Sequence, residues 1–307
     1  MASTAHHRLR IRRHTALALF GTLAGTLVGA ALAVSALAAC SAQTPVAAGS
    51  ATTTAHPSQH MVTVNGHRLA FYVTPGHLPA IVLDAGGGLD ASYWKAIVPV
   101  LAKNTGSEII SYDRSGEGAS SDVPGPWRAQ DAASDLAAGL TQLGVTDNVV
   151  LVSHSLAGEI ATYFVRQYPH RIAGAVLVDA SLPEFYTERE TSELVAENQQ
   201  QIAALARQPQ TRATRQLLAE AADYGPVHLA YHKLTWPDSV PAIAIVSSQT
   251  PFATPADAAL WKQAQQQFVS DAPNRRLVVA QHSSHDIPID RPDVVINAIE
   301  DMVNQVR

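Results

Sequence analysis

The stretch Val149-Val150-Leu151-Val152-Ser153-His154-Ser155-Leu156-Ala157-Gly158 constrains the fold more than any other part of the chain. Four consecutive apolar residues, mostly β-branched, predict a strand buried on both faces, as inside a parallel sheet. Small and polar residues follow at once, and Ile160-Ala161-Thr162-Tyr163-Phe164 then reads as the apolar side of a helix. A strand that turns sharply into a helix holds the residue at its apex above the sheet. Here that residue is Ser155, with the Leu156 N–H and the helix N-terminus aimed at the same point. This is the layout of a nucleophile elbow, whose usual pattern is Gly-x-Ser-x-Gly. Ser153 and Ala157 stand where the glycines would be, and both are small enough for a close backbone approach. An ordinary strand-to-helix loop fits these ten residues equally well, so the rest of the chain must decide.

The first forty residues differ in kind from the rest. Arg8, Arg10, Arg12 and Arg13 precede a run from Thr15 to Ala39 without a single charge, the pattern of an export signal that takes no part in the fold. The run ends in Leu37-Ala38-Ala39-Cys40, which resembles a bacterial lipobox and makes Cys40 the expected site of lipidation. The alternative is a retained anchor, since about 20 apolar residues span a bilayer. Cys40 is the only cysteine, so no disulfide forms within the chain. Residues 40–60 are rich in Ala, Thr, Ser and Pro and read as a flexible tether. The expected localisation is therefore the extracytoplasmic face of a membrane, or secretion. A net charge of −5 gives no basic surface for nucleic acid.

Residues 61–307 suit one domain with an insertion. Met61 to Thr74 alternates about Asn65-Gly66 and predicts a β-hairpin. Ala80-Ile81-Val82-Leu83 is a buried strand running into Gly86-Gly87-Gly88, and Tyr93 to Lys103 has helical spacing. A strand ends at Tyr112 before Asp113-Arg114-Ser115-Gly116-Glu117-Gly118-Ala119-Ser120, and Gln130 to Leu143 is an amphipathic helix. Ile172 to Val178 is a strand closing on Asp179. Residues 182–238 show only helical spacing and read as an inserted cap. Strands at Ala242–Val246 and Leu277–Ala280 follow, with helices at Ala256–Phe268 and Pro292–Val306. Alternating strands and helices imply an α/β fold with a mostly parallel sheet covered on both faces.

In this order the pieces resemble the α/β-hydrolase family. The resemblance covers about Val62 to the C-terminus and rests on four features in register: Gly86-Gly87 after the third strand, Asp113-x-x-Gly116-x-Gly118-x-Ser120, Ser155 at the elbow, and Ser284-His285-Asp286 before Pro292. It implies a serine hydrolase of a small ester or other acyl substrate, with a Ser-His-Asp arrangement and no cofactor or metal. Ser155 would be the nucleophile and His285 the base, with His282 the other histidine of that loop. For the acid, no carboxylate follows the penultimate strand in Val246–Pro251. Asp179 occupies the family's alternative position, and Asp257 stays open, although it reads equally as a helix-start residue. The Gly87 and Leu156 amides would form the oxyanion hole. Glu159 has two readings, a place near the pocket or a solvent-facing position on the helix, and solvent is the expected one. A lipoprotein that keeps the fold but only binds a ligand or partner is the rival reading; it would separate His285 from Ser155 and leave no carboxylate near His285.

Overall fold

The computed structural model describes residues 57–307. The signal, Cys40 and most of the tether lie outside the described residues.

Eight strands form one sheet in the order β1-β2-β4-β3-β5-β6-β7-β8. β1 (Ser58–Val64) and β2 (His67–Thr74) make the expected hairpin, with Asn65 and Gly66 both at positive φ. Its first strand begins three residues before Met61, because Ser58 to His60 pair with Phe71 to Val73. β2 is antiparallel to β4 (Ser107–Asp113), and every pairing from there on is parallel: β4 with β3 (His77–Asp84), then β5 (Val149–His154), β6 (Ile172–Val178), β7 (Ala242–Ser247) and β8 (Arg275–Ala280).

The period-2 alternation of the central strands feeds two cores. On β5, Val149 and Leu151 pack with α2 (Ala129–Gln142) and α3 (Ala157–Gln167). Val150 and Val152 face the other way, onto α1 (Val98–Thr105) and α9 (Pro292–Val306). All six residues of β5 are buried, which is why the strand reads as a continuous apolar run.

One expected helix is broken. Tyr93 to Lys103 divides into a 3-10 turn, Ala91–Trp94, and α1, which begins at Val98 with Pro99 in its first turn. Proline is accommodated there and not in a helix interior. Between β6 and β7 lie a 3-10 turn (Pro183–Phe185), α4 (Glu188–Ala206), α5 (Arg212–Ala221) and α6 (Tyr224–Tyr231), all within the span expected to form a cap. A third apolar cluster seats this insertion on α7 (Pro255–Ser270), through Phe185, Tyr186, Leu194, Tyr231 and Trp261. A short α8 (Ile287–Asp290) precedes α9. Among the described residues no helix is long and apolar enough to cross a membrane.

Candidate active site

Ser155 sits between β5 and α3 with φ 55°, in the left-handed region that non-glycine residues seldom occupy. Three backbone hydrogen bonds hold it there: its N–H donates to the Val178 carbonyl, and its own carbonyl accepts from Gly158 and Ser181. The close approach that a glycine at Ala157 would serve falls one residue later. A Cβ on Gly158 would lie 2.6 Å from the Ser181 carbonyl oxygen and 2.8 Å from the Ala180 Cβ. Ser153 is fully buried, and its Oγ has no hydrogen-bond partner among the described residues.

The glycine loop lies against this turn. A Cβ on Gly86 would fall 3.2 Å from the Ser155 Cβ, and one on Gly87 would fall 3.3 Å from Leu156 Cδ2. Arg114, buried just beyond β4, pins the loop from behind. Its guanidinium pairs with Asp84 at 2.7 Å and donates to the carbonyls of Ala85 and Gly86. Because a trans peptide directs C=O and the next N–H oppositely, holding the Gly86 carbonyl on Arg114 turns the Gly87 N–H away from it. Neither the Gly87 nor the Leu156 amide donates a hydrogen bond among the described residues. The Asp113 motif is structural: its carboxylate accepts from the amides of Ala91 and Ala119 and from Tyr72, and a Cβ on Gly118 would collide with it.

His285 comes to Ser155 from the loop after β8. Its Nε2 is 2.8 Å from Ser155 Oγ, and its Nδ1 is 2.7 Å from Asp179 Oδ2. Asp179 is fully buried at the end of β6, at φ 42°. Its Oδ1 accepts from the Ser247 N–H (3.0 Å) and the Trp261 indole N–H (2.9 Å), and its Oδ2 accepts from Ser247 Oγ (2.7 Å). Burial pushes this carboxyl up, but His285, Trp261 and Ser247 outweigh it and hold the group below the usual carboxylate range. An ionised Asp179 accepts from Nδ1–H, which leaves Nε2 free to accept from the serine hydroxyl.

The other candidates fall elsewhere. His282 is exposed at φ 59°. Asp257 lies in the first turn of α7, where its N–H donates to the capping Thr254 Oγ1. Asp286 accepts from Tyr93 at 3.2 Å.

Glu159 corrects an expectation: it is 2% exposed, not on a solvent face. A polar residue in a first helical turn reads as exposed when the helix is viewed alone, but here the insertion closes over it. It meets the Tyr186 hydroxyl at 3.4 Å and His228 Nε2 at 3.2 Å. His228 Nδ1 donates to the Tyr224 carbonyl at 2.8 Å, which fixes the ring's orientation. Ser155, Leu156, Glu159, Tyr186, Glu220 and His228 all line one pocket, whose free volume is only about 40 Å³. That is room for a few water-sized groups. Glu220, from α5, accepts from Gln216 at 2.9 Å, and burial pushes its carboxyl up to about 7.

His154, next to the elbow serine, was not singled out from the sequence. Its ring stacks between Tyr93 and His285, with centroids 5.0 and 4.8 Å away, and its Nε2–H donates to the His285 carbonyl at 3.1 Å. Nδ1 is buried without a partner among the described residues. Burial first, then the neighbouring His285, pushes this imidazole down to about 3. Its position beside Ser155 was the available signal.

Comparison with known proteins bears on the family and the fold. A profile of the alpha/beta hydrolase family matches residues 81–298. A non-heme haloperoxidase of Rhodococcus erythropolis is 34% identical over 123 residues, 40% of this chain and 44% of that protein. A bifunctional esterase/perhydrolase of Acinetobacter calcoaceticus is 34% identical over 113 residues, 36% of this chain and 39% of that protein. An uncharacterised protein of Mycobacterium tuberculosis is 35% identical over 129 residues, 41% of this chain and 36% of that one. The matched segments thus span less than half of these relatives. A thermophilic esterase from Thermogutta terrifontis superposes with a TM-score of 0.54 at 23% identity, over 82% of this chain and all but 1% of that one (99% covered). With the family profile covering well over half of it, this chain belongs to the alpha/beta hydrolase family.

Proposed function

We propose that the chain is a serine hydrolase of a compact carboxylic ester or related acyl substrate. The observation that supports this most is the unbroken line from Ser155 Oγ through both nitrogens of His285 to Asp179. In this reading Ser155 Oγ attacks the acyl carbon as His285 Nε2 takes its proton, and Asp179 steadies the imidazolium. The tetrahedral oxyanion accepts from the amides of Gly87 and Leu156, each contributing about 3–4 kcal/mol to the transition state in comparable sites. His285 then protonates the departing alkoxide, and water releases the acyl group by the reverse relay. No cofactor enters the reaction.

The test is labelling of the full chain with a fluorophosphonate probe. Wild type should react, and Ser155→Ala and His285→Ala should not; equal labelling of Ser155→Ala would refute the assignment. The rival reading, a lipoprotein that only binds, needs His285 apart from Ser155, and the 2.8 Å contact speaks against it. The small pocket favours short acyl groups. Among p-nitrophenyl esters the acetate should be turned over faster than the octanoate, and a preference for long chains would show that the insertion opens. We further propose that the chain is exported and lipidated at Cys40. Incorporation of labelled fatty acid, abolished in Cys40→Ser, tests this.

A further inference from the structure

Outside the pocket one carboxylate is buried without a donor among the described residues. Glu190, in the first turn of α4, is 2% exposed, and both its oxygens are buried without a hydrogen-bond partner among the described residues. A buried charge with no donor is heavily penalised. The groups it faces make matters worse. Glu193, one turn along α4, and Asp257, at the start of α7, bring carboxylate oxygens within 4.8 Å of its own and of each other. The compensation within the protein is slight. Arg189 pairs with Glu193 Oε1 at 2.8 Å on the exposed side, and Thr254 Oγ1 donates to Asp257 Oδ2 at 2.5 Å. Glu193 Oε2, Asp257 Oδ1 and both oxygens of Glu190 are left over among the described residues.

We propose that Glu190, Glu193 and Asp257 form a binding site for a hard divalent cation, calcium by its donor set. The donors are all carboxylate oxygens, with no imidazole or thiolate, which selects against zinc and copper. They lie on flexible side chains of two separate elements, an arrangement suited to the irregular, water-completed shell of calcium and not to the strict octahedron of magnesium. The site does not touch Ser155, and the proposal stands whether or not the chain is a hydrolase. Its mechanical consequence is a clasp. Glu190 and Glu193 belong to the insertion, whereas Asp257 opens the helix whose Trp261 donates to Asp179. A bound cation would therefore tie α4 to the same helix that buttresses Asp179.

The test is thermal unfolding of the full chain, stripped with chelator and then titrated with calcium or magnesium at constant ionic strength. Wild type should gain several degrees at saturating calcium and less with magnesium, because a ligand bound only by the native state raises its stability. Glu190→Gln and Asp257→Asn should each abolish the gain. Stripped Glu190→Gln should melt at or above stripped wild type, since it removes a buried uncompensated charge; this shows that the variant folds. A wild-type midpoint unmoved by either cation up to about 10 mM, well above the weak end of protein calcium sites, would overturn the proposal. So would a calcium gain that persists in Glu190→Gln.

Discussion

His154 carries a stability cost in acid that can be worked out from its surroundings. Its Nε2–H is committed to the His285 carbonyl, so a second proton would go to Nδ1, which is buried with no acceptor among the described residues. The glycine loop approaches that nitrogen closely: a Cβ on Gly86 would come within 2.8 Å of it. The group's value in the fold is about 3, against an ordinary 6.5. Between those values the unfolded chain binds a proton that the native chain refuses, so native stability falls as pH falls. It is fully present above the ordinary value and is lost progressively toward the lowered one. At about pH 5, roughly 1.5 pH units below the ordinary value, the loss is about 2 kcal/mol, at 1.36 kcal/mol per unit.

His154→Phe keeps a ring between Tyr93 and His285 but cannot titrate. It also forfeits one hydrogen bond, worth about 1 kcal/mol at every pH. Urea unfolding of both full chains at about pH 7.5 and about pH 5 separates the two effects, since the hydrogen-bond cost cancels in the difference. Wild type should lose about 2 kcal/mol more than the variant on acidification. Glu184, Glu190 and Glu220, all pushed up to about 7, slope the opposite way but do so equally in both chains. If the two chains lose the same amount, His154 is not held neutral and the account of its packing fails.

Asp179→Asn should leave the fold intact but lower kcat by about 10⁴-fold, by presenting the wrong partner to His285 Nδ1; a loss under tenfold would move the acid's role elsewhere. Gly158→Ala should cost about 1–3 kcal/mol in urea unfolding, because its Cβ meets the Ser181 carbonyl and the Ala180 Cβ; an unchanged midpoint would contradict that contact. Glu220→Gln should stabilise the chain at about pH 8 by roughly 1–2 kcal/mol and have no such effect at about pH 4.5. The raised carboxyl stabilises the fold below its unfolded value, and that benefit is lost as pH rises through about 7.

The parts of the fold that were legible are those in which local pattern and tertiary role coincide. β5 is buried on both faces, so its apolar run needs no partner to be recognised; the Asn65-Gly66 hairpin is set by two adjacent residues. His285 and Ser155 could be picked out by their order along the chain and are found 2.8 Å apart. Asp179 and Asp257 could not be ranked on residue type. What separates them is that one closes a buried strand beside three donors, while the other lies in the first turn of a helix, its N–H taken by the capping Thr254. Glu159 reads as exposed because its burial depends on the insertion, whose Tyr186 and His228 lie 27 and 69 residues further along the chain. Arg114 passed unnoticed because nothing in its neighbours reveals that its partners are backbone carbonyls of another loop.

A division of labour follows from where these contacts originate. Ser155, His285, Asp179 and the glycine loop all stand at the ends of sheet strands, and each is held by backbone or by buried donors of the body. The insertion adds none of them. It supplies instead Tyr186, Glu220 and His228, which set the charge and the small volume of the space above the serine. Reactivity toward a small probe should therefore track the body, and choice among substrates should track α5 and α6. α7 is where the two meet: Trp261 braces Asp179 below, while the aromatic cluster around Phe185 and Tyr186 seats the insertion on the same helix above. A perturbation of that cluster, such as Phe185→Ala, should then lower the rate on esters through Trp261 as well as shift the acyl preference, whereas a change confined to α5 should shift preference alone.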